Sequence, residues 1–305
     1  MDVREWALIT FTILAQMSVG SFIVLGVVHF FAQKKSGEQQ ANELSDRALL
    51  AIFPVLGLGL LASLLHLGNP LNAYKAVTNL GGSWLSREIL CGVLFAVVGF
   101  GFALMQWRKI GSFAVRNAVA WVASAIGVVL VYSMAMVYMI PTRPSWNAFT
   151  TPLSFFVTTL LLGVLAMGAA FVANYWYVQR KNPGCASDQC VLLRDSLRWF
   201  AVSSIVLLGC QFVVVPLALA LMSLNGALGS AAMMAGEFGM VFVLRLVLVF
   251  LGAGVLGIFV YRAAQSPGQE NLLGALAYAA FVLVLVGEVL GRFLFYATAG
   301  TFGLQ

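Results

Sequence analysis

Charged residues are scarce in this 305-residue chain. Only 9% of its residues are Asp, Glu, Lys or Arg, whereas 61% are hydrophobic; a soluble domain carries about 25% charged residues. Apolar runs longer than about 18 residues are typical of membrane-spanning helices. The composition excludes a soluble globular protein and predicts a polytopic helical membrane protein. Its net charge of +6 comes mostly from Lys and Arg in short connections between apolar runs, and so does not indicate nucleic-acid binding.

Histidine and cysteine are also rare, and their positions exclude several cofactors. His29 and His66 fall near opposite ends of predicted helices, about 30 Å apart in depth, so they cannot ligate one haem. Cys185 and Cys190 share a polar loop with no further zinc ligands beside them. The other two cysteines lie within apolar segments. We therefore predict free thiols, with no haem and no resident metal.

The apolar runs between polar breaks predict an all-α fold, a single eight-helix transmembrane domain covering residues 1–305. Each predicted helix is long enough to cross a hydrocarbon layer of about 30 Å. The predicted spans are 7–31, 48–68, 87–106, 117–140, 151–178, 198–223, 239–262 and 271–296.

Lys and Arg concentrate in alternate connections, which predicts the orientation of the protein. Lys34, Lys35, Arg108, Lys109 and Arg180 belong to the richer set, and the positive-inside rule places that set in the cytoplasm. Both termini then lie outside, in the periplasm of a Gram-negative cell. The first apolar run is too long for the apolar region of a cleavable signal peptide, so we expect it to remain as the first helix.

A cluster of ionisable residues is predicted at the outer ends of these helices. Ionisable groups in or near hydrocarbon are costly and usually mark a functional site. The cluster consists of His66, Arg87, Glu88, Arg143, Glu237, Arg245, Glu288 and Arg292.

The first two candidate site residues are His66 and Glu88. His66 is either a histidine satisfied at the level of the lipid head groups or a group that exchanges a proton near neutral pH. Glu88 is either part of the helix start, with Ser86 as N-cap and the helix dipole favouring the carboxylate, or a functional acid near hydrocarbon. The neighbouring Arg87 is more simply an interfacial anchor.

Three further charged residues lie inside the last two predicted helices. Glu288 and Arg292 have the i,i+4 spacing that allows an ion pair, which would either pack helices together or serve a function. Arg245 has no acidic partner on its own helix, so we expect one in Glu88 or Glu288.

This set of side chains suits a lipid-soluble substrate that loses protons. Oxidising a quinol requires bases for two protons, and cations or hydrogen-bond donors for its oxygens. With no haem, flavin motif or cysteine cluster, the electrons must leave to another subunit on the same face. The uncharged segment 225–236 and the aromatic outer connections indicate either an interfacial belt or a docking surface for that subunit.

The sequence resembles a known family through several short motifs in a common order. These are Glu5-Trp6, His66-Leu67-Gly68-Asn69-Pro70, Leu85-Ser86-Arg87-Glu88-Ile89, Pro144-Ser145-Trp146 before Thr151-Pro152, Arg245, Gly287-Glu288-Val289-Leu290-Gly291-Arg292 and Phe295-Tyr296. Together with the helix spacing, they resemble the membrane anchor subunit of anaerobic dimethyl sulfoxide reductase, the DmsC family.

The resemblance implies a three-subunit enzyme of the bacterial inner membrane. A molybdopterin catalytic subunit and an iron–sulfur subunit would dock on the periplasmic side, while this protein would oxidise menaquinol. The resemblance ties His66 and Glu88 to quinol binding and oxidation. We expect Arg245, Glu288 and Arg292, and less directly Arg87, to belong to the quinol site.

Three alternatives remain open at this stage. A polysulfide-reductase-like anchor shares the outer quinol site. A secondary transporter would favour inverted repeats and paired broken helices, whereas only Pro216 interrupts a predicted span near its middle. A passive anchor without any site is the third.

Overall fold

A computed structural model describes residues 3–36, 49, 52, 54–62, 78–181, 187–266 and 268–299. Residues 54–62 are helical, and no strand occurs in the described ranges. The helices with complete bounds are α1 (Val3–Ser36), α2 (Trp84–Arg108), α3 (Phe113–Tyr138), α4 (Thr150–Lys181), α5 (Ser187–Leu224), the short α6 (Leu228–Ala235), α7 (Gly239–Ala263) and α8 (Glu270–Ala297).

The predicted all-α class is confirmed. Within the described residues, seven helices, α1–α5, α7 and α8, are long and apolar enough to cross a membrane, and each overlaps a predicted span. Of the predicted span 48–68, only residues 49, 52 and 54–62 are described, which is too short a helical piece to count among the seven. The count of eight spans therefore stays a prediction.

The start of α2 differs from the sequence prediction. Ser83, not Ser86, is the N-cap, and its hydroxyl accepts a hydrogen bond from the backbone N–H of Ser86 at 3.3 Å. The prediction of Ser86 as N-cap was wrong because Trp84 and Leu85 already belong to the helix. Glu88 consequently lies beyond the first turn of α2, where the helix dipole explains its presence less well.

The central crossing of the bundle joins α1 and α4 through two glycines. A Cβ atom added at Gly20 would overlap the carbonyl of Thr159, and one added at Gly163 would overlap the backbone of Gly20. The two backbones therefore touch with no side chain between them, as small residues allow in membrane helices. These helices are also the most deeply buried of the seven.

α8 packs against α7 in a similar way, and this contact positions the candidate site. A Cβ added at Gly252 would lie 2.7 Å from Cγ2 of Val284, and one added at Gly287 would lie 2.6 Å from Cγ2 of Val249. Gly252 belongs to a π-helical stretch of α7, Phe250–Val255. Such stretches change the direction in which the flanking side chains point, and Arg245 lies just before this one.

Candidate functional site

The connection between α3 and α4 is held against the end of α8. Arg143 donates a hydrogen bond from Nη1 to the carbonyl of Ala299 at 2.6 Å, and the Trp146 indole N–H donates to the carbonyl of Phe295 at 2.8 Å. The Trp146 ring also stacks on Phe295, with centroids 5.2 Å apart. These contacts place the end of α3 and the polar end of α8 at one end of the bundle, with Glu237 exposed nearby. The ring contact between Trp84 and Tyr132 brings the start of α2 to the same side of α3.

A cavity of about 90 Å³ lies between α4, α5, α7 and α8 at this end. Three of the predicted site residues, Arg245, Glu288 and Arg292, line it. The remaining wall is mixed, since hydroxyl groups of α4 face apolar side chains of α5 and α7. Its lining includes Ser145, Trp146, Thr158, Val214, Leu219, Met222, Met234, Phe242, Gly291, Phe295 and Thr298.

Glu288 is a buried carboxylate held by two neutral donors. Its side chain is 2% exposed. The Thr158 hydroxyl donates to Oε2 at 2.6 Å, and Nε2 of Gln211 donates to Oε1 at 2.5 Å. Helices α4 and α5 each supply one of these donors, so the carboxylate joins three helices without a direct cationic partner.

Arg292 is also buried, and it turns toward α1. Nη2 donates to Oε1 of Gln16 at 2.8 Å, and Gln16 in turn donates to the carbonyl of Phe155 at 2.9 Å. The guanidinium lies 3.8 Å from the centroid of the Phe155 ring, a cation–π distance. The direct Glu288–Arg292 ion pair that the i,i+4 spacing allows is not formed, because each side chain bonds to neutral partners instead.

Arg245 lies against α8 at a position without a side chain. A Cβ added at Gly291 would overlap the Arg245 guanidinium, with its Cζ at 2.6 Å. Neither Glu88 nor Glu288 forms the expected ion pair with Arg245 in the described structure. Its Nε, like the Nε of Arg292 and the hydroxyl of Ser145, is buried without a hydrogen-bond partner. Three polar groups from the cavity lining are thus left unsatisfied, and an oxygen-bearing ligand could satisfy them.

Glu88 and the pair Tyr138–Tyr296 are polar groups outside the cavity lining. The Glu88 side chain is 7% exposed. The hydroxyl groups of these two tyrosines are 2.7 Å apart and hydrogen bonded. Glu88 is not among the residues that line the cavity.

The two remaining site candidates lie elsewhere. Arg87 donates from Nε to the carbonyl of Leu80 and from Nη2 to the carbonyl of Gly81, both at 2.8 Å, and its guanidinium covers the Trp84 ring. These contacts fit the interfacial anchor rather than a group that faces the cavity. His66 lies outside the described residues.

Five contributors to this arrangement were not expected from the sequence: Gln16, Thr158, Gln211, Tyr138 and Tyr296. A signal existed for the two glutamines, since each is an isolated amide in a long apolar run, and burying an amide without a partner is costly. The hydroxyl-bearing residues give no such signal, because a threonine in a helix can bond to its own backbone and a tyrosine is common near a membrane surface.

Cysteine and histidine give no sign of a metal centre in the described part of the protein. No group of three or more His, Cys, Asp or Glu side chains there could hold a metal ion. Cys91 and Cys210 are free thiols, as predicted, while Cys185 lies outside the described residues. His29 stacks on Phe113, where α1 ends and α3 begins, far from the cavity.

Comparison with known proteins gives consistent similarities along the whole sequence. The model of the DMSO reductase anchor subunit (DmsC) family matches residues 1–298. The YnfH subunit of anaerobic dimethyl sulfoxide reductase from Escherichia coli is 31% identical over 304 residues, which cover 99% of this sequence and 97% of that protein. The C subunit of anaerobic dimethyl sulfoxide reductase from Escherichia coli is 30% identical over 307 residues, with 99% and 97% covered. The corresponding C subunit from Haemophilus influenzae is 28% identical over 303 residues, with 98% and 96% covered.

Proposed function

Because the protein belongs to the DMSO reductase anchor subunit (DmsC) family, we propose that it is the membrane anchor and quinol-oxidising subunit of a molybdopterin oxidoreductase complex. Menaquinol enters from the lipid of a bacterial inner membrane and is oxidised at the outer end of the bundle. Its two electrons pass to an iron–sulfur subunit docked on the periplasmic face. The molybdopterin subunit then uses them to reduce the terminal acceptor.

The polar cavity carries this proposal. A quinol head group presents two oxygens, and the cavity lining offers the unsatisfied Nε of Arg245, Nε of Arg292 and hydroxyl of Ser145. Two guanidinium groups beside one carboxylate leave an excess of positive charge. That excess would stabilise the negative charge that develops on a quinol oxygen as its proton leaves. The apolar part of the lining suits the ring.

Glu88 and His66 are the proposed proton acceptors. Oxidation of a quinol to a quinone releases two protons and two electrons, so the site needs two bases. The burial of Glu88 and its orientation toward the interior support its role. We assign the second proton to His66, which precedes α2 in the sequence. Arg245, Glu288 and Arg292 hold and orient the head group, with Arg87 fixing the rim.

The topology in this proposal has eight spans in a single domain, with both termini in the periplasm. The described helices support it. Trp6 stacks on Phe293, so the start of α1 and the end of α8 lie at the same end of the bundle. α1 finishes at the opposite end, beside Phe113, whereas α2 begins at the cavity end. In this proposal, the predicted span 48–68 connects these two ends.

Placing both products outside makes the proposed reaction electroneutral across the membrane. Protons leave the quinol at the outer face, and the electrons go to partner subunits on that same face. The outer surface also offers apolar side chains for docking, because Phe149, Leu224 and Leu228 are exposed there. Exposed apolar groups on an aqueous face commonly mark partner contacts.

The test compares two electron donors in membranes that contain the assembled complex. Menadiol enters through the proposed quinol site, whereas reduced benzyl viologen supplies the partner subunits directly, and dimethyl sulfoxide is the acceptor. We expect Glu88→Gln, which keeps the side-chain volume but removes the base, to lower menadiol-dependent turnover about 100-fold or more. Viologen-dependent turnover should not change, and it reports assembly.

The matched control is Glu237→Gln, a change of the same type at an exposed position outside the cavity. It should leave both activities unchanged. Wild-type rates with menadiol in the Glu88→Gln and His66→Ala variants would contradict the proposal and favour a passive anchor.

A further inference from the structure

We infer that the polar cavity opens sideways to lipid between α5 and α7, and that the isoprenoid tail of the quinol lies in this opening. The inference rests on the proposed quinol oxidation and adds the position of the tail to it. The opening is the part of the cavity lined by Val215, Ala218 and Leu219 of α5 and by Phe242 of α7. We call it the α5–α7 gap.

Away from the cavity end, α5 and α7 are in direct contact. A Cβ added at Gly254 of α7 would lie 2.9 Å from Cδ2 of Leu208 on α5, and one added at Gly257 would lie 3.3 Å from Cγ1 of Ile205. These distances are those of tightly packed helices, so this part of the interface between α5 and α7 has no room for a ligand.

The close contact ends at an aromatic pair. The rings of Phe212 on α5 and Phe250 on α7 are 6.3 Å apart between centroids, and both are exposed at the surface of the bundle. The two helices run antiparallel, so residues that follow Phe212 and residues that precede Phe250 lie nearer the cavity end. There the cavity itself separates the helices, because Ala218 lines it from one side and Phe242 and Arg245 line it from the other.

Both helices carry an irregularity next to this point. Pro216 of α5 has no backbone N–H and so removes one helical hydrogen bond. The π-helical stretch Phe250–Val255 of α7 begins at the aromatic pair. Proline and π-helical turns are the usual causes of helix bends. They explain why two helices that touch away from the cavity end diverge toward it.

The α5–α7 gap reaches the surface of the bundle. Its four lining residues are half-buried, although they belong to the cavity wall. Beside it, Val213 of α5 and Val243 of α7 are 66% and 54% exposed, and both belong to candidate membrane spans. An apolar surface within a membrane span faces lipid, so the edge of the cavity meets lipid here.

Methionines close the cavity toward the aqueous side. Met222 near the end of α5 and Met234 of α6 both line it, and Met234 is 7% exposed. α6 belongs to the connection between two spans, so it covers the cavity on the side of the membrane surface. Lipid is thus reached through the α5–α7 gap rather than past α6.

The ligand that fits this arrangement has a polar head and a long apolar tail. The unsatisfied groups of Arg245, Arg292 and Ser145 belong to the polar part of the cavity, whereas the α5–α7 gap offers only hydrocarbon side chains. A cavity of about 90 Å³ cannot hold a tail of several isoprene units as well as a head group. The tail therefore has to leave the cavity, and the apolar gap lets it do so without exposure to water.

The experiment fills the α5–α7 gap and compares two quinols that differ in the tail. Menaquinol-4 carries an isoprenoid tail, whereas menadiol has the same naphthoquinol head without one. We expect Ala218→Phe to lower kcat/KM for menaquinol-4 about 10-fold more than for menadiol, because the added ring occupies the position of the tail. Both quinols are supplied in the same detergent micelles to the purified complex, and viologen-dependent turnover reports assembly.

The matched control is Ala220→Phe, the same substitution two residues further along α5. Ala220 is exposed and does not line the cavity, so the added ring would point into lipid. The ratio of kcat/KM between the two quinols should keep its wild-type value in this variant.

A wild-type ratio in Ala218→Phe, including an equal loss with both quinols, overturns the α5–α7 gap as the position of the tail. If Glu88→Gln is inactive with both quinols in that case, the proposed function stands. A complex that oxidises neither quinol, or a fully active Glu88→Gln variant, refutes the proposed function and the tail position with it.

Photolabelling of the wild-type complex gives an independent measurement, which also serves if Ala218→Phe fails to assemble. A menaquinone analogue with a diazirine in the tail, close to the ring, should label residues of the α5–α7 gap, and excess menaquinone-4 should prevent the labelling. Labelling of other helices that menaquinone-4 prevents, or labelling that it does not prevent, overturns the inference.

Discussion

Neutral side chains rather than counter-ions satisfy the buried carboxylate of Glu288. Thr158 and Gln211 each donate one hydrogen bond to it. In a direct ion pair, a carboxylate and an arginine neutralise each other, and neither charge is available to a ligand. Here the guanidinium groups of Arg245 and Arg292 each keep an unsatisfied Nε, so positive charge remains available to a ligand. For this reason we regard the charged residues of the cavity as a binding site for a ligand rather than as an ion pair that only holds helices together.

The position of Arg245 depends on the absence of a side chain at Gly291. We predict that Gly291→Ala displaces the guanidinium, because the added methyl group would overlap it. The KM for menadiol should rise about 10-fold, equivalent to about 1.4 kcal/mol of lost binding. Steady-state kinetics on membranes that contain the assembled complex measure this, with viologen-dependent turnover as the assembly check.

Gly209→Ala is the matched control for that prediction. Gly209 lies on α5 with open space where a Cβ would be added, so the substitution tests the effect of alanine in a membrane helix alone. An unchanged KM for menadiol in Gly291→Ala would show that Arg245 can bind the quinol without the space left by the missing side chain at position 291.

The sequence predicts the positions of the helices better than it predicts the contacts of individual side chains. Seven predicted spans overlap helices of the structure, because apolar length is a property of each segment taken alone. The N-cap of α2 was misassigned, since Ser83 and Ser86 are both plausible caps and only the backbone distinguishes them. The sequence also did not predict the π-helical stretch Phe250–Val255, which lies where α7 packs against α8.

For the candidate site, too, the sequence predicts some residues and not how they are arranged. The sequence indicated Arg245, Glu288 and Arg292 because charges inside apolar runs are conspicuous, and the structure brings these three to one cavity. It gave no indication that Glu88 would lie outside the cavity lining. Which helices are neighbours, and which faces they share, depends on contacts between segments more than 100 residues apart, such as the Tyr138–Tyr296 hydrogen bond.

The α1–α4 crossing gives a prediction about stability. Gly20→Ala should destabilise the protein by about 1–3 kcal/mol, because the added methyl group would overlap the carbonyl of Thr159 and force two buried helices apart. Thermal unfolding of the detergent-solubilised protein, followed by circular dichroism, measures the change. Gly26→Ala on the same helix is the control, since a Cβ there meets open space. Equal melting temperatures for the two variants would contradict the tight crossing.

For the whole molecule, the polar groups are distributed unevenly along the membrane normal. Glu88, Glu288, Arg245 and Arg292 all lie in the third of the bundle nearest the cavity end. The opposite end holds several arginines and lysines, including Arg108, Lys109 and Arg262. Between the cavity end and the opposite end, where Asp195 and Glu270 lie, the seven candidate spans contain no acidic residue. This asymmetry fits quinol chemistry confined to one face better than transport across the membrane.

That asymmetry leads to a prediction about orientation. Glu237 precedes α7 at the cavity end, and Gln265 follows α7 at the opposite end. Single cysteines at these two exposed positions should therefore label from opposite sides of the membrane. The background carries Cys185→Ser and Cys190→Ser, so that no native loop thiol reacts, while Cys91 and Cys210 lie inside spans.

In intact spheroplasts, a membrane-impermeant maleimide should react with the Glu237→Cys variant and not with Gln265→Cys. The second variant should react only after the membrane is permeabilised, because the positive-inside rule keeps that end in the cytoplasm. The reverse pattern would place the cavity on the cytoplasmic face. It would also contradict the proposed periplasmic docking of the iron–sulfur subunit, since the exposed apolar side chains proposed for docking lie at the same end as the cavity.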